Sequence, residues 1–254
     1  MARSICSKVQ YCRSSLRMHS VAFTLLVLHI GLSVVYDSGF FGSQAVLATS
    51  SVADPRPQRT VPTMSAETYE KLAEFSEILI PTDDEGNPLP LEEVGERDLS
   101  AGQEILDNLL ARHWRLNGNE KAQVHRNYAW LAQELDDMDL AIEHLVQILD
   151  YRESISYVLE EQTLNNLSKL HFVLGKYEEA IDYSTQFMAR STSEDPNDYA
   201  YIAQVYYALK DFHSTKDWIE RAIASAEEQS TTVKKAWREI LLAAENQLGQ
   251  NDDG

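Results

Sequence analysis

Small side chains recur in this sequence at a nearly fixed offset, and that recurrence restricts the chain to a stack of repeated units. Three stretches align on one pattern. The first runs from Val124 through Tyr128-Ala129, Met138 and Ala141-Ile142 to Leu149. The second runs from Leu164 through Leu167-Ser168, Gly175-Lys176-Tyr177 and Ala180-Ile181 to Met188, and the third from Tyr199 through Ile202-Ala203, Tyr206, Asp211-Phe212 and Thr215 to Ile223. Within each, one small residue is matched by another: Ala129 with Ala141, Ser168 with Ala180, Ala203 with Thr215. The second member recurs after 39 and then 35 residues. A period in this range marks a solenoid, in which each unit buries its apolar face only against its neighbours.

The units are helical. Prolines cease after Pro90 except for Pro196, and glycines are sparse over the same stretch. Strands and their turns need both residues often, whereas helix interiors exclude them. Where two helices of a unit cross, one side chain on each must be small, or the axes are forced beyond the usual separation of roughly 8–10 Å. The bulky residue just past each turn (Met138, Tyr177, Phe212) then fills the wedge between the helices. Asp195-Pro196 supplies an N-cap oxygen and a proline at the first helical position.

These segments resemble tetratricopeptide repeats, and LGKYEEAIDY (Leu174–Tyr183) is close to that family's central signature. The resemblance implies an all-α, right-handed superhelix of antiparallel helix pairs, with about three to four repeats and a closing C-terminal helix. Residues 124–230 hold the three clear repeats, with Ala129, Ala141, Ser168, Gly175, Tyr177, Ala180, Ala203, Tyr206, Phe212 and Thr215 as their structural positions. The extra length in the first interval is assigned to Asp150–Ser156. Another step back by 39 reaches Gly102, so residues 66–123 are read as a degenerate leading pair: Ala66–Ile80, an acidic loop at 81–97, and LSAGQEILDNLLARHW. Residues 231–248 form the capping helix and 249–254 a polar tail.

The first 48 residues are a different material. Arg3, Lys8, Arg13 and Arg17 precede an uncharged apolar run, Val21–Tyr36, and small residues at Val46-Leu47-Ala48 suit a cleavage site. This is the pattern of a secretory signal, although Arg17 and Asp37 also bracket 18–36, near the lower limit of a membrane anchor. On either reading the repeats are expected outside the cytoplasm, in the periplasm, with membrane association only through 18–36 if it is uncleaved. Thr49–Thr63 contains Pro and Ser without apolar periodicity, and 49–65 is read as a flexible linker. Both cysteines, Cys6 and Cys12, lie in the leader, so the repeats need no disulfide.

The formal net charge is −18, and the remainder is more acidic still without the leader's basic residues. Such a surface repels nucleic acid and favours basic partners. No phosphate-cradling glycine loop, nucleophile elbow or paired-histidine zinc motif occurs. No enzyme, cofactor or metal is therefore expected. Asp83, Asp84, Glu85 and Gly86 superficially resemble a calcium loop, but the register puts Pro81 where an aspartate ligand is required.

What remains is the groove that the resemblance implies along the first helices. By helical period the groove-facing residues are Arg126, Trp130 and Gln133; Asn165, Lys169 and Phe172; Gln204 and Tyr207; and Lys234 and Arg238. Four are basic in an acidic body, and the amides can bond an extended peptide's backbone. The alternative is that Trp130, Phe172 and Tyr207 pack between neighbouring repeats. Over most of the exported chain, RTVPTMSAETYEKLAEFSEIL (Arg59–Leu79), Asn127-Tyr128-Ala129 and Leu164–Tyr183 resemble periplasmic tetratricopeptide proteins of TonB-type energy-transducing systems. That implies an accessory scaffold whose partners are other proteins, either envelope-complex components or peptides in the groove. A generic adaptor for cell-wall or outer-membrane assembly shares these features, and a calcium-responsive module would need the acidic loop.

Overall fold

The computed structural model describes residues 56–80, 89 and 97–252. The leader, linker residues 49–55 and nearly all of the acidic loop lie outside the described residues, as do the apolar run 18–36 and the calcium-like residues. Residues 54–254 belong to one compact unit, and its described part is all-α. No described helix is long and apolar enough to cross a membrane.

The helices are α1 (Ala66–Leu79), α2 (Leu99–Leu110), α3 (Gly118–Glu134), α4 (Met138–Leu149), α5 (Tyr157–Val173), α6 (Tyr177–Arg190), α7 (Pro196–Ala208), α8 (Phe212–Glu228) and α9 (Lys235–Asp252). Consecutive helices pack as pairs, α1 with α2, α3 with α4, α5 with α6 and α7 with α8, while α9 lies against α8. The pairs join through α2 with α3, α4 with α5 and α6 with α7.

Inside the three complete pairs the connection is the same three-residue device: Leu135-Asp136-Asp137, Leu174-Gly175-Lys176 and Leu209-Lys210-Asp211. The middle residue is left-handed each time, with φ of 59°, 73° and 61°. The next N–H reaches back to the helix that has just ended: Asp137 to Ala132 O at 2.8 Å, Lys176 to His171 O at 2.9 Å, and Asp211 to Tyr206 O at 3.0 Å. This Schellman arrangement satisfies carbonyls that the helix end leaves without a partner. Asp137 and Asp211 also cap the next helix, accepting from Leu140 N and Ser214 N at 3.0 Å each. One residue thus closes a helix and opens another. Only Gly175 takes the left-handed conformation without steric cost; Asp136 and Lys210 bear it.

With so short a connection the two helices cross closely. Ala129, Ala141, Ser168, Ala180, Ala203 and Thr215 are all 0 % exposed. Ser168 Oγ donates to the backbone carbonyl of Ala180 at 2.7 Å, so a side chain of α5 reaches the main chain of α6. In the leading pair Gly102 lies against Phe75, where a Cβ would come within 3.3 Å of the ring.

The connections between pairs are longer. Ala111–Asn117 and Asp150–Ser156 each hold a 3-10 turn, His113–Arg115 and Arg152–Ser154, again 39 residues apart. Gly118 sits where a Cβ would meet Ser154 Cβ at 2.5 Å, so the second turn abuts the start of α3. Between α6 and α7 no such turn forms, and α7 starts at Pro196 with 13 residues against the 17 of α3 and α5.

Two expectations are corrected at the ends. Thr231–Lys234 is non-helical because Thr231 N–H is used to close α8, donating to Ala226 O at 2.8 Å, so the last helix begins at Lys235. It then runs through Gly249 to Asp252, where a polar tail is expected. A single glycine costs about 1 kcal/mol in a helix and does not oblige it to stop.

The linker is corrected as well. Residues 57–65 form no regular element, yet they are pinned along the N-terminal ends of α3 and α5. Ser65 N–H donates to Glu120 Oε1 at 2.8 Å. Asn117 Nδ2 donates to Thr63 O and Asn119 Nδ2 to Pro62 O, both at 3.0 Å. Tyr157 OH donates to Pro57 O at 3.1 Å, and Arg59 Nη1 meets the buried Glu160 carboxylate at 2.7 Å. Composition marks a polar, proline-containing segment, and such a segment can still be a docked strap.

The close crossing and the turn each yield a test. Ala180→Leu should lower stability by roughly 1–3 kcal/mol through overpacking, read as a shift in the urea midpoint; an unchanged midpoint would refute the helix register. Lys210→Gly should raise stability by about 1 kcal/mol, because glycine takes the left-handed conformation without the Cβ clash. A loss there would contradict the turn.

Candidate functional site

The expected groove residues form three aligned columns on the first helices of the pairs: Arg126 with Asn165, then Trp130 with Lys169 and Gln204, then Gln133 with Phe172 and Tyr207. The structure divides them by character. Trp130 is buried, its ring edge-on to Phe75 at 6.0 Å and its indole N–H donating to Glu134 at 3.3 Å. Phe172 is buried between Tyr177 (5.5 Å) and Tyr201 (6.0 Å). Tyr207 packs on Phe212 at 5.5 Å in the same relation that Phe172 has to Tyr177. A groove-facing role for Trp130 and Phe172 is corrected accordingly: these large rings fill the seams between helices, where burying them is worth most.

The polar members are half-buried rather than exposed: Arg126, Gln133, Asn165, Lys169 and Gln204. Gln133 is turned onto its own helix, its amide donating to Ala129 O at 3.1 Å. Lys234 and Arg238 are exposed; Lys234 bonds Asn197 Oδ1 at 2.7 Å and lies over the Trp237 ring. They stand near the start of α9.

The seam between α5 and α7 gathers what the other seams do not. Asn165, Ser168, Ser184, Phe187, Asp198, Tyr201 and Ile202 line a small recess there. Ser168 Oγ lies 2.7 Å from Ser184 Oγ and 2.9 Å from Tyr201 OH. Lys169 and Asp198 face one another electrostatically. Burial pushes the Lys169 ammonium down from its usual range while Asp198 draws it back up. Burial and the neighbouring Asp195 push Asp198 up to about 6, against the pull of Lys169. Burial also lowers Arg126. In each case burial disfavours the charged form, the ordinary effect of partial dehydration. Asp198 and Tyr201 were not among the expected site residues. Their offset from Lys169 crosses a loop between pairs, which no single-helix period can predict.

A second group also went unseen. His125 Nδ1 and His144 Nδ1 lie 2.9 Å apart across the α3–α4 crossing. Tyr128 stacks on His144 at 4.3 Å and bonds Asp107, while Tyr151 stacks on His125 at 6.2 Å. Burial, and then His144 itself, push His125 down to about 4; burial lowers His144 while Asp107 raises it. Among the described residues no three of His, Cys, Asp and Glu converge closely enough to hold a metal ion.

No family model matches the chain, and no curated protein is similar to it. Among solved structures it is similar to a chain in the crystal structure of the APC/C hetero-tetramer Cut9-Hcn1, at 21 % identity and a TM-score of 0.44. The match covers 58 % of this chain and 26 % of that one, so this chain corresponds to about a quarter of that neighbour.

The histidine pair sets a pH dependence. The folded state holds both rings below their ordinary value of 6.5, so the unfolded chain binds more protons as pH falls below that value. Stability contributed above pH 6.5 is therefore lost between about pH 6.5 and 4, the window set by His125. Asp198, raised to about 6, works in the opposite direction, so the comparison is with a variant. On moving from pH 7 to pH 4.5, urea unfolding should show wild type losing on the order of 1 kcal/mol more than His125→Gln/His144→Gln. Equal losses would refute the buried neutral pair.

Proposed function

We propose that this chain is a non-enzymatic scaffold that holds an extended segment of another protein across the first helices of its pairs. The observation that carries this reading is the α5–α7 seam, where half-buried Asn165 and Asp198 line one recess and half-buried Lys169 interacts electrostatically with Asp198. A segment crossing there would meet an ammonium, a carboxylate and an amide within one helix width. Gln204 and Arg126 extend the same polar row along the neighbouring first helices. Amides accept and donate to any peptide backbone, which suits a site that grips main chain and reads only a few side chains.

The setting is the bacterial envelope, with the chain exported to the periplasm as an accessory factor of a TonB-type outer-membrane transport system. The basic-then-apolar leader supports export, and the resemblance of Arg59–Leu79, Asn127–Ala129 and Leu164–Tyr183 supports the system. The partners are proteins of that complex.

A photo-crosslinking amino acid at Asn165 tests this in intact cells. Components of an ExbB–ExbD–TonB-like complex should be captured, and Lys169→Gln should reduce capture several-fold while the circular dichroism stays helical. Capture of cell-wall or outer-membrane assembly proteins would replace the TonB assignment. Labelling no greater than that at Glu178, an exposed position on α6, would refute the site.

A further inference from the structure

The strap is held in an unusual way. Arg56 and Arg59 both place their guanidinium groups over the Tyr157 ring, at 4.1 and 3.9 Å from its centroid. Arg56 also pairs with Glu161 and donates to the carbonyl of Arg190 at 2.8 Å. Around them the helices hold strap carbonyls: Pro57 O, Pro62 O and Thr63 O each accept a hydrogen bond. Pro57, Gln58, Thr60, Val61 and Thr63 are exposed. The body therefore reads two arginines three residues apart and the backbone around them, and little else.

Glu160 is held by the helical body as well as by the strap. Its carboxylate is 0 % exposed. Apart from Arg59 it has Arg152 Nε at 3.3 Å and Arg190 Nε at 3.6 Å, both from the body. A buried carboxylate stripped of its only cation would be strongly destabilising; this one keeps two. Tyr157, Glu161, Asn117 and Asn119 are likewise fixed by the N-terminal turns of α3 and α5. The ledge is thus built by the helices; when the strap leaves, Glu161 loses Arg56 and Glu160 loses the Arg59 hydrogen bond, but Glu160 keeps Arg152 and Arg190 beside it.

We infer that the N-terminal ledge of α3 and α5 is a second recognition site, one for extended segments carrying two arginines three residues apart, and that residues 56–63 occupy it in cis. The site is separate from the first-helix row and its failure would leave that reading untouched. The occupant's chemistry follows from the residue that already sits there: planar guanidinium groups stack on an aromatic ring and pair with carboxylates in a way ammonium groups do not reproduce. The net charge of −18 favours the approach of such a segment from solution. The strap then acts as a competitor, so that partner access depends on its release.

The test uses the full chain and a fluorescein-labelled octapeptide of residues 56–63, RPQRTVPT, followed by fluorescence anisotropy. Arg56→Glu/Arg59→Glu, which repels the strap from the two carboxylates, should bind the peptide at least tenfold more tightly than wild type. Adding Glu161→Gln or Tyr157→Ser should weaken that binding about tenfold, and so should replacing both peptide arginines by lysine. If the double variant loses its helical circular dichroism, Arg56→Gln alone serves, with an intermediate gain expected. Equal binding to wild type and variant, no binding to either, or indifference to Glu161 and Tyr157 would overturn the inference. So would a concentration-dependent dimer by light scattering that forms in wild type and vanishes in the arginine variant, since the ledge would then serve a second copy of the chain.

Discussion

Within each pair, the two helices approach so closely that only the smallest side chains fit between them, and the rest of the structure is organised by that approach. The α5–α6 crossing shows how near this is: the Ser168 hydroxyl bonds the main-chain carbonyl of Ala180 on the opposite helix. A three-residue connection with one left-handed residue is all that such a crossing leaves room for. Because Asp137 and Asp211 end one helix while starting the next, the angle between partners is set locally. Each pair becomes a stiff unit, and variation moves to the seams between units.

The seams differ, and the chemistry follows the differences. Aromatic rings close the first, with Trp130 on Phe75. The crossing of α3 and α4 carries a neutral histidine pair between two tyrosines. The α5–α7 seam has an ammonium, Lys169, and a carboxylate, Asp198, that are each half-buried. A solenoid whose seams were all apolar would be more uniform and would have nothing to offer a ligand. Here one seam is left polar, which is why the proposed binding site is placed there.

Much of the fold was legible in the sequence because its determinants are local. The small pairs Ala129/Ala141, Ser168/Ala180 and Ala203/Thr215 lie twelve residues apart on helices joined by a short turn, so periodicity alone brings them together. The same 39- and 35-residue offsets carry Asp136, Gly175 and Lys210, yet only the glycine advertises its left-handed backbone; an aspartate and a lysine there look like any surface residue. The seams were harder to read. Whether Trp130 faces a groove or a neighbour depends on Phe75, which sits across an acidic loop. Nothing in the period of α5 reveals that Asp198 will face Lys169. The strap was the least legible part, since its meaning rests on Glu160 and Tyr157 about a hundred positions away, and a proline-rich tether and a docked arm share one composition.

The strap also decides how the molecule receives a pull. Arg59 is joined to Glu160 across 101 positions of sequence, so tension arriving from the chain before Arg56 is delivered to α5 before it reaches α1. The contacts in its path are ionic, stacking and hydrogen-bonding ones spaced along the strap, which yield one after another, whereas the crossings behind them are packed solid. Load would therefore free the arm first and leave the helical body intact, making the strap a mechanical fuse for whatever is attached upstream.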